Sequence, residues 1–223
     1  MSAWPMALAL LAGLAGLVAG LHAVARLRSR PIVSAWRVEV RRPRDVVVPL
    51  AAAVACALLA VRFGTSPVLP AYLYLAIVAM PLAAIDVEHH RLPDVLTLPS
   101  YPIALALLGA AAFLVPAGTR HLVMALIGMA ALWSLYAVLY LLAPKGIGRG
   151  DVKLAGVLGI YLGWLGPDAW VLGAFAGPVL GGLFGLALVV TRRGSRRTLI
   201  PFGPFMLAGT LAAVLAAAWL PSP

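Results

Sequence analysis

Charge is scarce in this chain: of its 223 residues only 11% are Asp, Glu, Lys or Arg and just seven are acidic, while 63% are hydrophobic. So little charge, spread between apolar runs of bilayer-spanning length, excludes a water-soluble globular fold and makes lipid the main solvent. Cysteine is nearly absent. The single Cys56 lies within an apolar run, which excludes an intrachain disulfide and a cysteine-ligated zinc site. A soluble basic domain is lacking too, so the net charge of +10 does not describe a nucleic-acid binder. The basic residues instead flank apolar segments, where they set orientation and meet anionic membrane lipid.

What is present is an all-α pattern. Hydrophobicity and helix breakers mark eight candidate transmembrane spans, at 6–25, 48–62, 69–85, 96–116, 121–143, 151–165, 169–191 and 201–220. The second and sixth are short and fit tilted or sheltered helices. The first run lacks Lys and Arg on its amino-terminal side and has many beyond it, the charge order of a retained helix rather than a cleaved secretory signal. With eight crossings, fifteen of the seventeen Lys and Arg residues fall on one side, leaving Arg62 and Arg120 for the other. That asymmetry predicts a cytoplasmic side bearing the positive loops, with both termini outside. The basic stretch 26–49 reads as a cytoplasmic loop at the membrane surface. Gly16 with Gly20, Gly159 with Gly163, and the series Gly177, Gly181 and Gly185 have the spacing of close helix packing.

The acids sort by this topology. Glu39 and Asp45 sit among basic residues and pair on a solvated surface. Asp168, after Gly166 and Pro167, reads as an external turn residue or a helix cap. The other four, Asp86, Glu88, Asp94 and Asp151, gather at cytoplasmic ends of spans. Asp94 follows Pro93 and Asp151 follows Gly150, each directly ahead of an apolar helix, and both fit an N-cap. Asp86 ends a helix, where the dipole is negative, and needs compensation from elsewhere. An ionisable group near the hydrocarbon boundary costs about 2–3 kcal/mol when deep, so it is usually paired or functional. The dipoles favour charge on Asp151 and protonation of Asp86, so a facing pair would share one proton and perform general acid and base work on a peptide bond.

Three stretches together resemble the type IV prepilin peptidases, of the GxGD class of intramembrane aspartyl proteases. They are "IDVEHHRLPDVLTLP" at 85–99, "GRGDVKL" at 148–154 and "IPFGPFMLAG" at 200–209. The resemblance covers most of the chain, as one membrane-embedded domain over 1–223 whose core, 69–191, carries both aspartate motifs. It implies that Asp86 and Asp151 are the catalytic pair, without cofactor or metal. The implied partners are prepilin-like proteins, whose basic leader is cut at the cytoplasmic face of the bacterial plasma membrane, ahead of an apolar helix. Gly148 and Gly150 then let the backbone approach substrate and give Asp151 freedom to swing. Lys153 tunes the pair or meets a lipid phosphate. Pro93, Pro201, Gly203 and Pro204 shape the helix entries, and Glu88 is placed to attract a positive leader. Longer members of the family carry a cysteine-rich zinc module between their first two helices and also methylate the new amino terminus. The loop here has no cysteine, which counts against both.

Glu88, His89 and His90 do not make a metal site by spacing, because neighbours on a helix diverge and HExxH is absent. A proton- or ion-coupled transporter is the main alternative, since paired intramembrane carboxylates also build relays. It calls for acids near the midplane and a path to both sides, whereas the four acids cluster at one face and 169–191 and 201–220 hold none. A silent pilus-assembly scaffold keeps the helices but leaves the two motif-matched aspartates without a purpose.

Overall fold

A computed structural model describes residues 4–29, 44–143, 146–192 and 201–217, and every regular element among them is helical. There are eight: α1 (Trp4–Ser29), α2 (Arg44–Phe63), α3 (Leu69–His89), α4 (Asp94–Ala112), α5 (Gly118–Leu142), α6 (Arg149–Leu165), α7 (Pro167–Val190) and α8 (Gly203–Ala216). Each expected span has its helix, and the chain is a polytopic all-α membrane protein. By length and composition four of them, α3, α4, α5 and α7, are long and apolar enough to cross a bilayer, and α2 and α8 contribute shorter apolar stretches.

Helix boundaries correct one expectation. The stretch 26–49 is not all loop, because α1 continues to Ser29 and α2 begins at Arg44 with Pro49 inside it. Arg26 to Ser29 contains no Pro or Gly, so nothing in the sequence ends the helix before Ser29. Residues 30–43, the rest of the expected loop, lie outside the described residues, as do Lys145 and residues 193–200.

The chain divides into two compact units, 1–84 and 85–223. In the first, α1 packs on α2. A Cβ at Gly16 would fall 2.8 Å from the sulfur of buried Cys56 and 3.2 Å from the Ala52 carbonyl oxygen, so this glycine permits close approach. Phe63 at the end of α2 stacks on Tyr72 of α3, with ring centroids 4.4 Å apart.

The second unit is organised around α6, of whose 17 residues 13 are buried. Helices α4, α5, α7 and α8 all pack on it. This explains how a helix too short to span comfortably is accommodated, since it is sheltered by protein rather than lipid. Gly128 of α5 meets Gly159 and Gly163 of α6 backbone to backbone; a Cβ at Gly128 would fall 2.6 Å from the Gly159 carbonyl oxygen. Gly177 faces α8 in the same manner, with a Cβ there 3.0 Å from Met206 Cα, whereas Gly181 meets the rings of Phe202 and Phe205 at 3.4 Å and beyond. The close packing expected of Gly159, Gly163 and Gly177 is therefore present, while Gly181 makes only ordinary ring contacts.

Contacts at the helix ends show the up-and-down order within this unit. The end of α3 meets the starts of α4, α6 and α8 through Asp86, Leu92, Gly150 and Gly203. At the opposite end, His121 near the start of α5 bonds the Trp164 carbonyl near the end of α6 at 2.9 Å, and Trp170 in α7 donates to the Gly128 carbonyl at 3.0 Å. Consecutive helices thus run antiparallel.

Candidate active site

Asp86 and Asp151, 65 positions apart by number, are both buried, with 4% and 8% of their surface exposed. Burying a carboxylate is costly unless polar partners meet it, and each has one. Asp151 is the third residue of α6, and its Oδ2 accepts the Gly148 N–H at 2.9 Å, reaching back over the helix start. The N-cap position belongs to Gly148, in extended backbone, so the expected N-cap role of Asp151 is corrected to the third helical position. There its carboxylate still faces the unpaired amides of the first turn.

Asp86 finds its compensation far away in sequence. Its Oδ2 accepts the Gly203 N–H at 2.8 Å, and Gly203 is the first residue of α8. A carboxylate at the negative end of α3 therefore sits on the positive end of α8. This corrects the expected asymmetry: both aspartates stand at helix starts, so the dipoles do not assign charge to one and a proton to the other. The two aspartates share one end of the unit, because Leu92 lies against both Gly150, next to Asp151, and Gly203, whose N–H holds Asp86.

Glycine is required at this junction by proximity. A Cβ at Gly203 would lie 2.8 Å from Asp86 Oδ2, and one at Gly150 would lie 2.9 Å from Leu92 Cβ. Leu92 is buried, and its other methyl would be 3.3 Å from a Gly203 Cβ. It fills the space between the two backbone segments that hold the aspartates. The chain enters this position through His90, whose φ of 52° ends α3 in the left-handed conformation typical of a helix terminus. Pro93, extended at φ −71° and ψ 130°, is the N-cap of α4. Phe202, at the N-cap of α8, lies with its ring centroid 6.2 Å from that of buried Tyr136.

The remaining candidates fall around this centre. Asp94 is the first residue of α4 and makes no capping bond, which overturns its expected N-cap role. Its carboxylate is drawn instead to Lys153 Nζ, at 2.7 and 2.8 Å. Lys153 thus pairs with Asp94 across the helices, where lipid phosphate or the aspartate pair was expected. Gly148 donates its N–H to Asp151, and Gly150 packs against Leu92. Glu88 is exposed, two residues after buried Asp86 and so on another side of α3; His89 is half-buried and His90 exposed. Pro204 follows Gly203 at the second position of α8, and Pro201 precedes Phe202; both are half-buried. Asp168 lies in the first turn of α7 without a capping bond. Leu92, Tyr101, Tyr136 and Phe202 escaped the sequence reading. Only Leu92 carried a signal there, as a lone apolar residue between Arg91 and Pro93.

The arrangement defines a class: a polytopic helical membrane protein with two buried carboxylates converging from separate helix ends. Within that class, the family model of the type IV leader peptidase family matches residues 72–221, and the chain belongs to this family. Among curated relatives, the prepilin leader peptidase/N-methyltransferase of Aeromonas salmonicida is 38% identical over 146 residues, covering 64% of this chain and 48% of the relative. The protein of the same name from Stutzerimonas stutzeri is 34% identical over 173 residues, 76% of this chain and 57% of its own. That of Pseudomonas putida is 32% identical over 188 residues, 83% and 62% respectively. The chain spans about half the length of the first of these relatives. No solved structure matches.

Proposed function

We propose that this chain is an aspartic endopeptidase that removes the basic leader of prepilin-like proteins at the cytoplasmic face of the bacterial plasma membrane. The observation that carries the reading is the convergence of Asp86 and Asp151, buried and each held on Oδ2 by a backbone N–H. Membership of the leader peptidase family and the names of the relatives support the substrate class. Charge supports the cytoplasmic side: Arg91, Arg149 and Lys153 lie at the end of the unit that holds the aspartates, and Arg120 near the other.

The chemistry needs one proton between two carboxyls. Two adjacent carboxylates resist ionising together, so one holds a proton and the other does not. The ionised group takes a proton from water as the water oxygen bonds to the scissile carbonyl carbon. The protonated group gives its proton to the carbonyl oxygen, forming a neutral gem-diol. Collapse of the diol breaks the carbon–nitrogen bond: the nitrogen receives the proton first taken from water, and a hydroxyl proton returns to the other carboxyl. With Oδ2 of each aspartate engaged by the backbone, Oδ1 is the atom assigned to water and substrate. Burial excludes bulk water and strengthens these electrostatic interactions.

The test is coexpression with a prepilin-like protein, comparing wild type with Asp86→Asn and Asp151→Asn, and following leader removal as a mobility shift. Each variant is expected to leave the precursor uncut. Processing at the wild-type rate by both would refute the peptidase reading.

A further inference from the structure

An ion pair at this end of the molecule has no part in the reaction just described. Lys153 Nζ contacts both oxygens of Asp94, joining the first turn of α4 to α6. Its side chain leaves α6 two residues after Asp151, about 200° round the helix from that carboxylate. The main-chain carbonyl of Lys153 also accepts the Tyr101 hydroxyl at 2.6 Å. Asp94 and Tyr101 are seven residues apart, two turns along one face of α4. A single residue of α6 therefore fastens α4 at two heights.

The chain between Asp86 and Asp94 has little slack. After His90 it passes through Arg91 and buried Leu92 to the Pro93 cap. Leu92 is pressed between Gly150, beside Asp151, and Gly203, whose N–H holds Asp86. Displacing the start of α4 moves Leu92, and moving Leu92 alters its fit against both supporting segments.

We infer that the Lys153–Asp94 pair, acting through Leu92 as a spacer, sets the separation of the Asp86 and Asp151 carboxylates, so that Asp94 and Lys153 are positioning residues of the peptidase. The inference rests on the proposed peptidase reading of Asp86 and Asp151. Its energetic signature differs from that of a plain stabilising contact. The side chains of the pair are 36% and 55% exposed, and exposed pairs add little to stability. Loss of the pair can bias the active geometry by no more than the strength of the pair, a factor of about two to five in rate.

The experiment uses the full chain, purified in detergent, cleaving a prepilin-like protein with a short basic leader ahead of an apolar helix. Asp94→Asn, Lys153→Gln, their combination and Lys153→Arg are compared with wild type and with Asp86→Asn. Each single neutral variant is expected to lower kcat by about 2- to 5-fold while KM and the thermal midpoint stay unchanged. The double variant should be no slower than either single one, and Lys153→Arg should recover most of the loss, because a guanidinium also pairs with a carboxylate. Wild-type kcat in both single variants beside an inactive Asp86→Asn overturns the positioning role and leaves the peptidase reading standing. Losses that multiply in the double variant, or that appear in KM alone, overturn it as well. Wild-type cleavage by Asp86→Asn removes the peptidase reading and the inference with it. Should Asp94→Asn fail to accumulate, Leu92→Ala keeps the ion pair but removes the spacer; a lowered kcat is expected, and an unchanged one overturns the inference.

Discussion

Gly203→Ala adds one methyl group at the point where α8 holds Asp86. That methyl carbon would lie 2.8 Å from Asp86 Oδ2, 3.2 Å from its Cγ and 3.3 Å from Leu92 Cδ2. Two of these groups belong to the carboxylate itself, which must retreat, and Leu92 crowds the same methyl. The 2.8 Å bond from the Gly203 N–H to the same oxygen then lengthens or breaks. A hydrogen bond to a charged group contributes about 1.5–3 kcal/mol. At about 1.36 kcal/mol per tenfold in rate, losing it from the transition state lowers kcat by roughly 10- to 150-fold. The assay is cleavage of a prepilin-like substrate by purified protein, with folding followed by thermal melting in detergent. Gly182→Ala is the control, because a Cβ there meets nothing within 4 Å. It should retain full activity and gain up to about 1 kcal/mol from helix propensity. A folded Gly203→Ala protein cleaving at the wild-type rate would refute the view that this backbone donor holds Asp86 for catalysis.

Two further substitutions examine the packing that supports the site. At Gly159 a Cβ runs into the Gly128 carbonyl oxygen and lies 2.9 Å from both the Gly128 carbonyl carbon and Met129 Cα, all main-chain atoms that cannot swing aside. Gly159→Ala should therefore destabilise the α5 and α6 pair by about 1–3 kcal/mol or more, seen as a lowered melting temperature in detergent, while Gly109→Ala, with open space around it, should not. Tyr101→Phe removes the 2.6 Å bond to the Lys153 carbonyl and keeps the ring, so a loss of about 0.5–1.5 kcal/mol is expected in the same melts. An unchanged midpoint would show that the hydroxyl does not fasten α4 to α6.

The helices were legible because each is a long apolar run bounded by charge, Pro or Gly, and these signals are local. Asp86 and Asp151 stood out for a related reason, as rare acids beside apolar segments in a chain with only seven. What escaped was partnership over distance. Asp94 follows a proline ahead of a helix and so resembles a cap, yet its partner is Lys153, 59 residues on. Asp86 looked uncompensated at the end of α3 because its donor, the Gly203 N–H, lies 117 residues away and belongs to a glycine without a side chain to advertise it. Leu92 was visible only as an apolar residue in a short polar link, and its role depends on the two glycines it touches.

These corrections share a physical cause. Capping rules assign a carboxylate to the nearest unpaired amides, which is sound where water competes for every other partner. At the end of a buried bundle, several helix starts meet and bring their amides and charges within reach of one another. Asp151 keeps a local donor, Asp86 takes one from α8, and Asp94 gives up capping for a cation on α6. The choice follows from which helix ends are brought together, and the glycine contacts of α5 with α6 and of α7 with α8 let those pairs approach closely. The partners of Asp86 and Asp94 are thus set by the meeting of helix starts distant in sequence, which no local rule reads.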